Sequence, residues 1–286
     1  MTRQFPSFFA EMFDEMNSAL EPIKKFKRQL DLFETILKFF SIVVVSEYLA
    51  GEKRIPDIDS RVIAERICTR GMGDWFQMSL EFYKNKKELP DHFFLDIFSN
   101  FFTGKNRKLM ADLIELRNIK WGHGSKLSDA EYNKLIKESN EIILTLLNDL
   151  SFLTGFSLFR IVHMRILNNQ NIYKLIDCSG SNLNLLPSEK TFKTLLPSEE
   201  MIIIDLKDEN HHQSLHPFII LEDCGQCNQP EIFFYNGFYK EKIHYLSYKT
   251  GHEFISSDHV HRFQELLKGI TPKPVNSLME MIESGK

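Results

Sequence analysis

Ile142-Ile143-Leu144-Thr145-Leu146-Leu147-Asn148-Asp149-Leu150-Ser151-Phe152-Leu153-Thr154-Gly155-Phe156-Ser157-Leu158-Phe159-Arg160-Ile161-Val162-His163-Met164-Arg165-Ile166 is the stretch in which the chain changes its period. Before Gly155 the apolar residues Ile142, Ile143, Leu146, Leu147 and Leu150 recur every three or four positions and form one face of a helix. After it, Phe156 to Ile166 largely alternates, as a strand buried on one side does. The switch predicts an α+β protein with helices first and strands second. Residues 1–154 read as an all-helical domain, 155–270 as a small β-rich domain with a closing helix, and 271–286 as a C-terminal tail.

On the N-terminal side, Ser128-Asp129-Ala130-Glu131 is a capping box, with Ser128 placed to cap the helix and Glu131 to reach back. Leu135 and Ile136 continue its apolar face. Leu30, Phe33, Ile36, Leu37, Phe40, Val43 and Val44 repeat at helical spacing. Further helices are expected at roughly 7–20, 60–70, 73–84, 90–102 and 106–120. On the C-terminal side, Asn168 to Asn171 reads as a turn and Ile172 to Cys178 as the returning strand. Strands are also expected at Met201–Leu206, Phe218–Glu222, Ile232–Tyr235 and Ile243–Tyr248, with Asn236-Gly237 as a turn between apolar runs. This set predicts a small antiparallel sheet or barrel closed by a helix from Asp258 to Leu267.

The 286 residues are 43% apolar and 26% charged, with a net charge of -4, as in a globular chain able to bury a large core. That charge excludes a strongly basic nucleic-acid scaffold but leaves room for a local basic site. The 25 phenylalanines predict aromatic cores. Cys68, Cys178, Cys224 and Cys227 make no disulfide framework, which points to a reducing compartment. The N-terminus has no signal-like apolar region, and Glu34, Lys38 and Glu47 make the apolar stretch Phe33 to Ala50 a core helix rather than a membrane span. A cytoplasmic protein with no membrane partner is expected. No P-loop, dinucleotide fingerprint or serine nucleophile elbow is present.

Glu115-Leu116-Arg117-Asn118-Ile119-Lys120-Trp121-Gly122-His123-Gly124 carries the most chemistry. A guanidinium can hold a phosphate, and an imidazole can move a proton near neutral pH. Arg117 falls in the last turn of a helix bearing Leu109, Leu113 and Leu116, and His123 lies beyond it, before the helix that Ser128 caps. The bland alternative has Arg117 paired with an acidic neighbour or with the carbonyls of its helix end, and His123 bonded to a turn carbonyl.

An all-helical region with an arginine, a polar residue directly after it, and a histidine a few positions on, set between its last two helices, resembles the HEPN superfamily. Arg117, Asn118 and His123, with five residues between arginine and histidine, fit that family's R-x(4–6)-H pattern, and the resemblance covers residues 1–154. It implies a homodimeric endoribonuclease that needs no metal or other cofactor and leaves 2′,3′-cyclic phosphate and 5′-hydroxyl ends. Carried over, His123 is the general acid or base, Arg117 the phosphate clamp and Asn118 an orienting group. Lys120 and Trp121 would contact RNA, although Trp121 could instead fill the space a substrate needs. The resemblance further implies a bacterial antiphage or toxin-like effector with a partner protein, such as one of a toxin–antitoxin system. It equally allows a non-catalytic dimerisation or sensor module.

In the β half, Cys224-Gly225-Gln226-Cys227 is half of a structural zinc site, which takes four ligands. His211, His212, His216, His252, His259 and His261 are possible complements, and a pair of reduced thiols in a hairpin turn is the other reading. Phe233, Phe234, Tyr235, Phe238, Tyr239, Tyr245 and Tyr248, interleaved with Lys240, Lys242 and Lys249, could grip single-stranded nucleic acid or form the core of the sheet.

Overall fold

The computed structural model describes residues 5–67, 71–120, 127–180, 186–268 and 270, without the side chains of residues 119 and 120. Helices come first: α1 (Ser7–Ser18), α2 (Pro22–Ala50), α3 (Pro56–Ile58), α4 (Met72–Lys84), α5 (Phe93–Ser99), α6 (Gly104–Lys120) and α7 (Asp129–Asp149). A π-helical stretch, Asp59–Ala64, continues α3. The strands follow as β1 (Phe156–Leu167), β2 (Gln170–Asp177), β3 (Ser188–Phe192), β4 (Met201–Asp205), β5 (His212–Ser214), β6 (Ile219–Asp223), β7 (Pro230–Tyr239), β8 (Lys242–Leu246) and β9 (Glu253–Ser256), and α8 (Val260–Leu266) closes the set. This is the expected α+β order, with helices N-terminal and antiparallel sheets C-terminal.

Helix α2 organises the interior. From Leu30 to Leu49 it is apolar nearly all round, and it is buried nearly all round. The three charges on its buried stretch, Glu34, Lys38 and Glu47, each have a partner. Lys38 donates from Nζ to Asn236 Oδ1 at 3.1 Å and faces the rings of Trp75 and Tyr248, 5.0 Å from each centroid. Glu34 accepts the Tyr248 hydroxyl at 2.9 Å. Glu47 accepts the backbone N–H groups of Phe94 and Leu95, each at 2.9 Å, which satisfies the open donors at the start of α5. Among the described residues no helix is long and apolar enough to cross a membrane.

The strands divide into two sheets, ordered β3-β2-β1-β4-β5 and β6-β7-β8-β9, with every pair antiparallel. The first sheet uses both faces. Leu158, Met201 and Ile203 join the helical core, while Phe159, Ile161, Tyr173, Leu175, Leu196, Ile202 and Ile204 form a separate cluster on the other side. The second sheet sinks into the main core. Phe234 meets Phe8 edge-on at 5.0 Å, and Tyr235 and Phe238 stack on Phe263 at 5.3 and 5.5 Å. One cluster of buried side chains therefore runs from α1 and α2 into β6–β9. The N-terminus is tied in as well, through Ser7 N–H to Cys178 O at 2.7 Å.

Two features differ from expectation. Asn236-Gly237 is not a turn: it is a bulge inside β7, where the pairing with β8 slips between Tyr235 and Phe238 and Gly237 takes φ 125°. The hairpin reverses instead at Lys240 and Glu241, both at positive φ (49° and 57°). The bulge keeps the Asn236 amide on Lys38. In addition β3, β5 and β9 were not expected. They are short strands with few or no fully buried residues, so their sequence carries no apolar alternation.

Candidate functional sites

The arginine site sits at the α6–α7 corner. A small cluster of Phe26, Leu30, Tyr132 and Leu135, with Leu116 and Leu127 against it, pins the end of α6 and the start of α7 to α2. With Leu113 and Leu116 turned inward, the next positions rotate toward solvent, so Arg117 is only partly buried and Asn118 is exposed. The Arg117 guanidinium donates to Asn118 Oδ1 at 3.1 Å. The chain re-enters helix at the capping box. Ser128 N–H donates to Glu131 Oε2 at 2.8 Å, and Glu131 N–H reaches Ser128 Oγ at 3.4 Å. A groove of about 230 Å³ beside this corner is lined by Leu116, Leu127, Glu131, Lys134, Leu135 and Glu138. Trp121 and His123 lie outside the described residues, as does the side chain of Lys120.

The second site is at one end of the β6–β9 sheet. Because the strands run antiparallel in sequence order, the β6–β7 and β8–β9 turns fall at the same end. The first turn holds Cys224 and Cys227. It is closed by Cys224 N–H to Gln229 O at 2.9 Å and Asn228 N–H to Cys224 O at 2.7 Å, with Asn228 at φ 56°. The Gln226 amide points at Cys224 Sγ, 3.4 Å away. The second turn needs Gly251 at φ 77° and delivers His252. Cys224 Sγ lies 3.2 Å from His252 Nδ1. Glu231, one residue into β7, brings Oε1 to 3.0 Å from both Cys227 Sγ and His252 Nδ1. Its Oε2 accepts Thr250 Oγ1 at 2.6 Å.

Burial works against charge on the Glu231 carboxylate, yet hydrogen bonds from Cys227, Ser247, Thr250 and His252 outweigh it and hold the group at about 2. Its hydrogen bond with Glu231, aided by burial, pushes the Cys227 thiol up to about 11. A cavity of about 200 Å³ adjoins the cluster, with Cys227, Glu231, Thr250 and Lys249 on one wall and Phe8 and Glu11 of α1 on the other.

The structure thus selects among the histidines. Of the six candidate histidines, only His252 joins Cys224 and Cys227. His211 stacks on Phe93 at 3.7 Å between Asp205 and Asp208, and His212 Nδ1 lies 3.0 Å from Glu209 O. His216 packs edge-on against His259 at 4.8 Å, and His261 faces Glu265 on exposed α8. Glu231 was missed from the sequence. The one available signal was its position four residues after Cys227, and nothing local ranks that above other carboxylates. Of the β-half aromatics, Phe233, Phe234, Tyr235, Tyr245 and Tyr248 are core residues, while Phe238 and Tyr239 are half-buried. No family model, curated protein or solved structure matches this chain.

Proposed function

We propose that the protein is a metal-independent endoribonuclease of the HEPN type, working as a homodimer. The observation that supports this reading is the setting of Arg117 and Asn118: a pinned but solvent-facing helix end, immediately before the capped helix that follows the motif. A fixed guanidinium there can hold a scissile phosphate and the charge that develops on it. His123, assigned from its place in the motif, would take the proton of the ribose 2′-hydroxyl. The 2′-oxygen then attacks phosphorus, the 5′-oxygen leaves, and the imidazolium of the second copy protonates it. The products are a 2′,3′-cyclic phosphate and a 5′-hydroxyl. Activity as a bacterial antiphage or toxin-like effector with a partner protein in the cytoplasm belongs to the same proposal.

The test is cleavage of end-labelled RNA by wild type, Arg117→Ala and His123→Ala. Fold is checked by circular dichroism and assembly by light scattering. The His123 change should cost about 10²–10⁴-fold and the Arg117 change about 10²–10³-fold. Intact RNA with folded, dimeric wild type sinks the proposal, as does cleavage that survives both substitutions. A non-catalytic interaction module is the second reading. The exposed Ile166 and Leu167 at the tip of the β1–β2 hairpin favour it.

A further inference from the structure

We infer that Cys224, Cys227, His252 and Glu231 form a zinc site that locks the β6–β7 turn to the β8–β9 turn. The site is separate from the Arg117 corner and would stand even if no RNA is cut. It is carried by geometry. The four donor atoms, Cys224 Sγ, Cys227 Sγ, His252 Nδ1 and one Glu231 oxygen, all lie within 4.8 Å of one another. A tetrahedral Zn²⁺ with ordinary bond lengths to sulfur, nitrogen and oxygen requires ligand-to-ligand edges of roughly 3.3–3.8 Å. Three of the five edges that involve His252 or Glu231 measure 3.2, 3.0 and 3.0 Å, and the others stay within 4.8 Å. The first three are hydrogen-bond lengths, a few tenths of an ångström short of the tetrahedral values. Loss of the bridging protons to solvent and a shift of a few tenths of an ångström in the side chains and the two turns make room for the ion.

The surroundings are those of a ligand set rather than of a thiol pair. A redox disulfide between Cys224 and Cys227 has no use for an imidazole and a buried carboxylate converging on the same point. Glu231 is 6% exposed, and its second oxygen is held by Thr250, an outer-sphere contact of the kind that fixes the orientation of a ligating carboxylate. The Gln226 amide directed at Cys224 Sγ would support a thiolate. Two thiolates, an imidazole and a carboxylate favour a borderline-soft ion such as zinc over magnesium or calcium, which take oxygen ligands. Four protein donors fill the tetrahedron, so the site is structural and keeps no position for a reacting water. Its task is mechanical. His252 and Cys224 are far apart in sequence, and the sheet end they share closes the cavity facing α1.

The protein is purified under reducing conditions without added chelator, and its metal is counted by mass spectrometry. Wild type and the surface control His261→Ala should each carry about one zinc per chain, and Cys227→Ser, His252→Ala and Glu231→Gln should lose most of it. Because a variant can lose metal by misfolding, the decisive arm uses wild type alone. Zinc is removed by chelation and Co²⁺ is added back, giving the visible and near-ultraviolet absorption of a tetrahedral thiolate-bound ion and restoring the melting temperature that chelation lowered. Full metal content in Cys227→Ser and His252→Ala overturns the ligand assignment. Metal-free wild type that shows no thiolate–Co²⁺ absorption on titration overturns the site.

Discussion

Two corners of the molecule gather polar side chains in opposite ways. At the α6–α7 corner the hydrogen bonds of Arg117 and Ser128 are local: Arg117 bonds its next neighbour Asn118, and Ser128 exchanges bonds with Glu131 three residues on. The groups face solvent and are held in place by apolar neighbours such as Leu116 and Leu127. At the β6–β9 sheet end the partners come from two turns, with Cys224 meeting His252 and Cys227 meeting Glu231 beside a core that reaches back to α1. The first arrangement can change with little cost to the fold. The second cannot, because its polar groups rest on the register of four strands. A site for a large exchanging substrate suits the former, and a fixed ion suits the latter.

The largest loss is expected at Phe234. The ring is 1% exposed, meets Phe8 at 5.0 Å and Tyr248 at 5.8 Å, and lines the cavity next to Glu231. Phe234→Ala should cost about 3–5 kcal/mol, from lost burial plus the cavity left behind. Since the core is continuous from α2 to β7, the loss should appear in the helical half too. A Trp121→Phe background leaves Trp75, which is fully buried against α2, as the sole tryptophan reporter. Its fluorescence transition in urea should shift together with the far-ultraviolet signal. A Trp75 transition that stays put would mean that the β6–β9 end unfolds on its own.

A smaller effect is read by pH, away from both corners. His216 lies between the two sheets, and burial, aided by His259, Arg160 and Arg262, lowers it to about 3. The unfolded chain then binds a proton below about pH 6.5 that the fold refuses, so stability is full above that value and declines as pH falls toward 3. At pH 5 the loss is about 2 kcal/mol, and it depends little on the folded value as long as that stays well below 5. Burial acts the other way on carboxyls, raising Glu47 to about 7 and Asp31 to about 6, and these favour the fold as pH falls. The measurable quantity is therefore the difference between wild type and His216→Leu in urea unfolding at pH 5 and pH 8. The pH 5 penalty should shrink in the variant. An unchanged difference would mean that His216 takes up its proton in the folded state.

Sequence reading works well where a signal is local and less well where it depends on register. The Ser128 box and the change of period at Gly155 sit within a few residues of the structure they specify, and both are realised: α7 starts at Asp129 and β1 at Phe156. The C-x-x-C half of the sheet-end cluster is likewise visible as a motif. Its other half is not. His252 stood among six equivalent histidines until the β8–β9 turn placed it, and Glu231 had no mark beyond being a carboxylate. Asn236-Gly237 shows the converse. It is a strong turn dipeptide, but tertiary packing of Asn236 on Lys38 makes it a bulge and moves the reversal to Lys240-Glu241. Edge strands such as Ser188–Phe192 expose most of their residues, so no apolar alternation was there to be read.

The smallest expected effect tests whether the α6–α7 corner is as self-contained as its contacts suggest. Ser128 accepts Glu131 N–H through its hydroxyl, and Glu131 bonds back to the Ser128 amide, so Ser128→Ala removes one half of the box while leaving Glu131 on the Ser128 backbone. Loss of a serine cap costs about 1 kcal/mol. Among the described residues no hydrogen bond given for Ser128 reaches the Cys224 cluster, so the double variant Ser128→Ala/His252→Ala should show the two single losses added, within about 0.5 kcal/mol. Zinc content should be unchanged by Ser128→Ala alone. Melting and urea unfolding of the four proteins, at one salt concentration and one pH, measure this directly. A coupling well beyond that margin would mean that the start of α7 and the sheet end move as one unit, and the functional independence of the two corners would go with it.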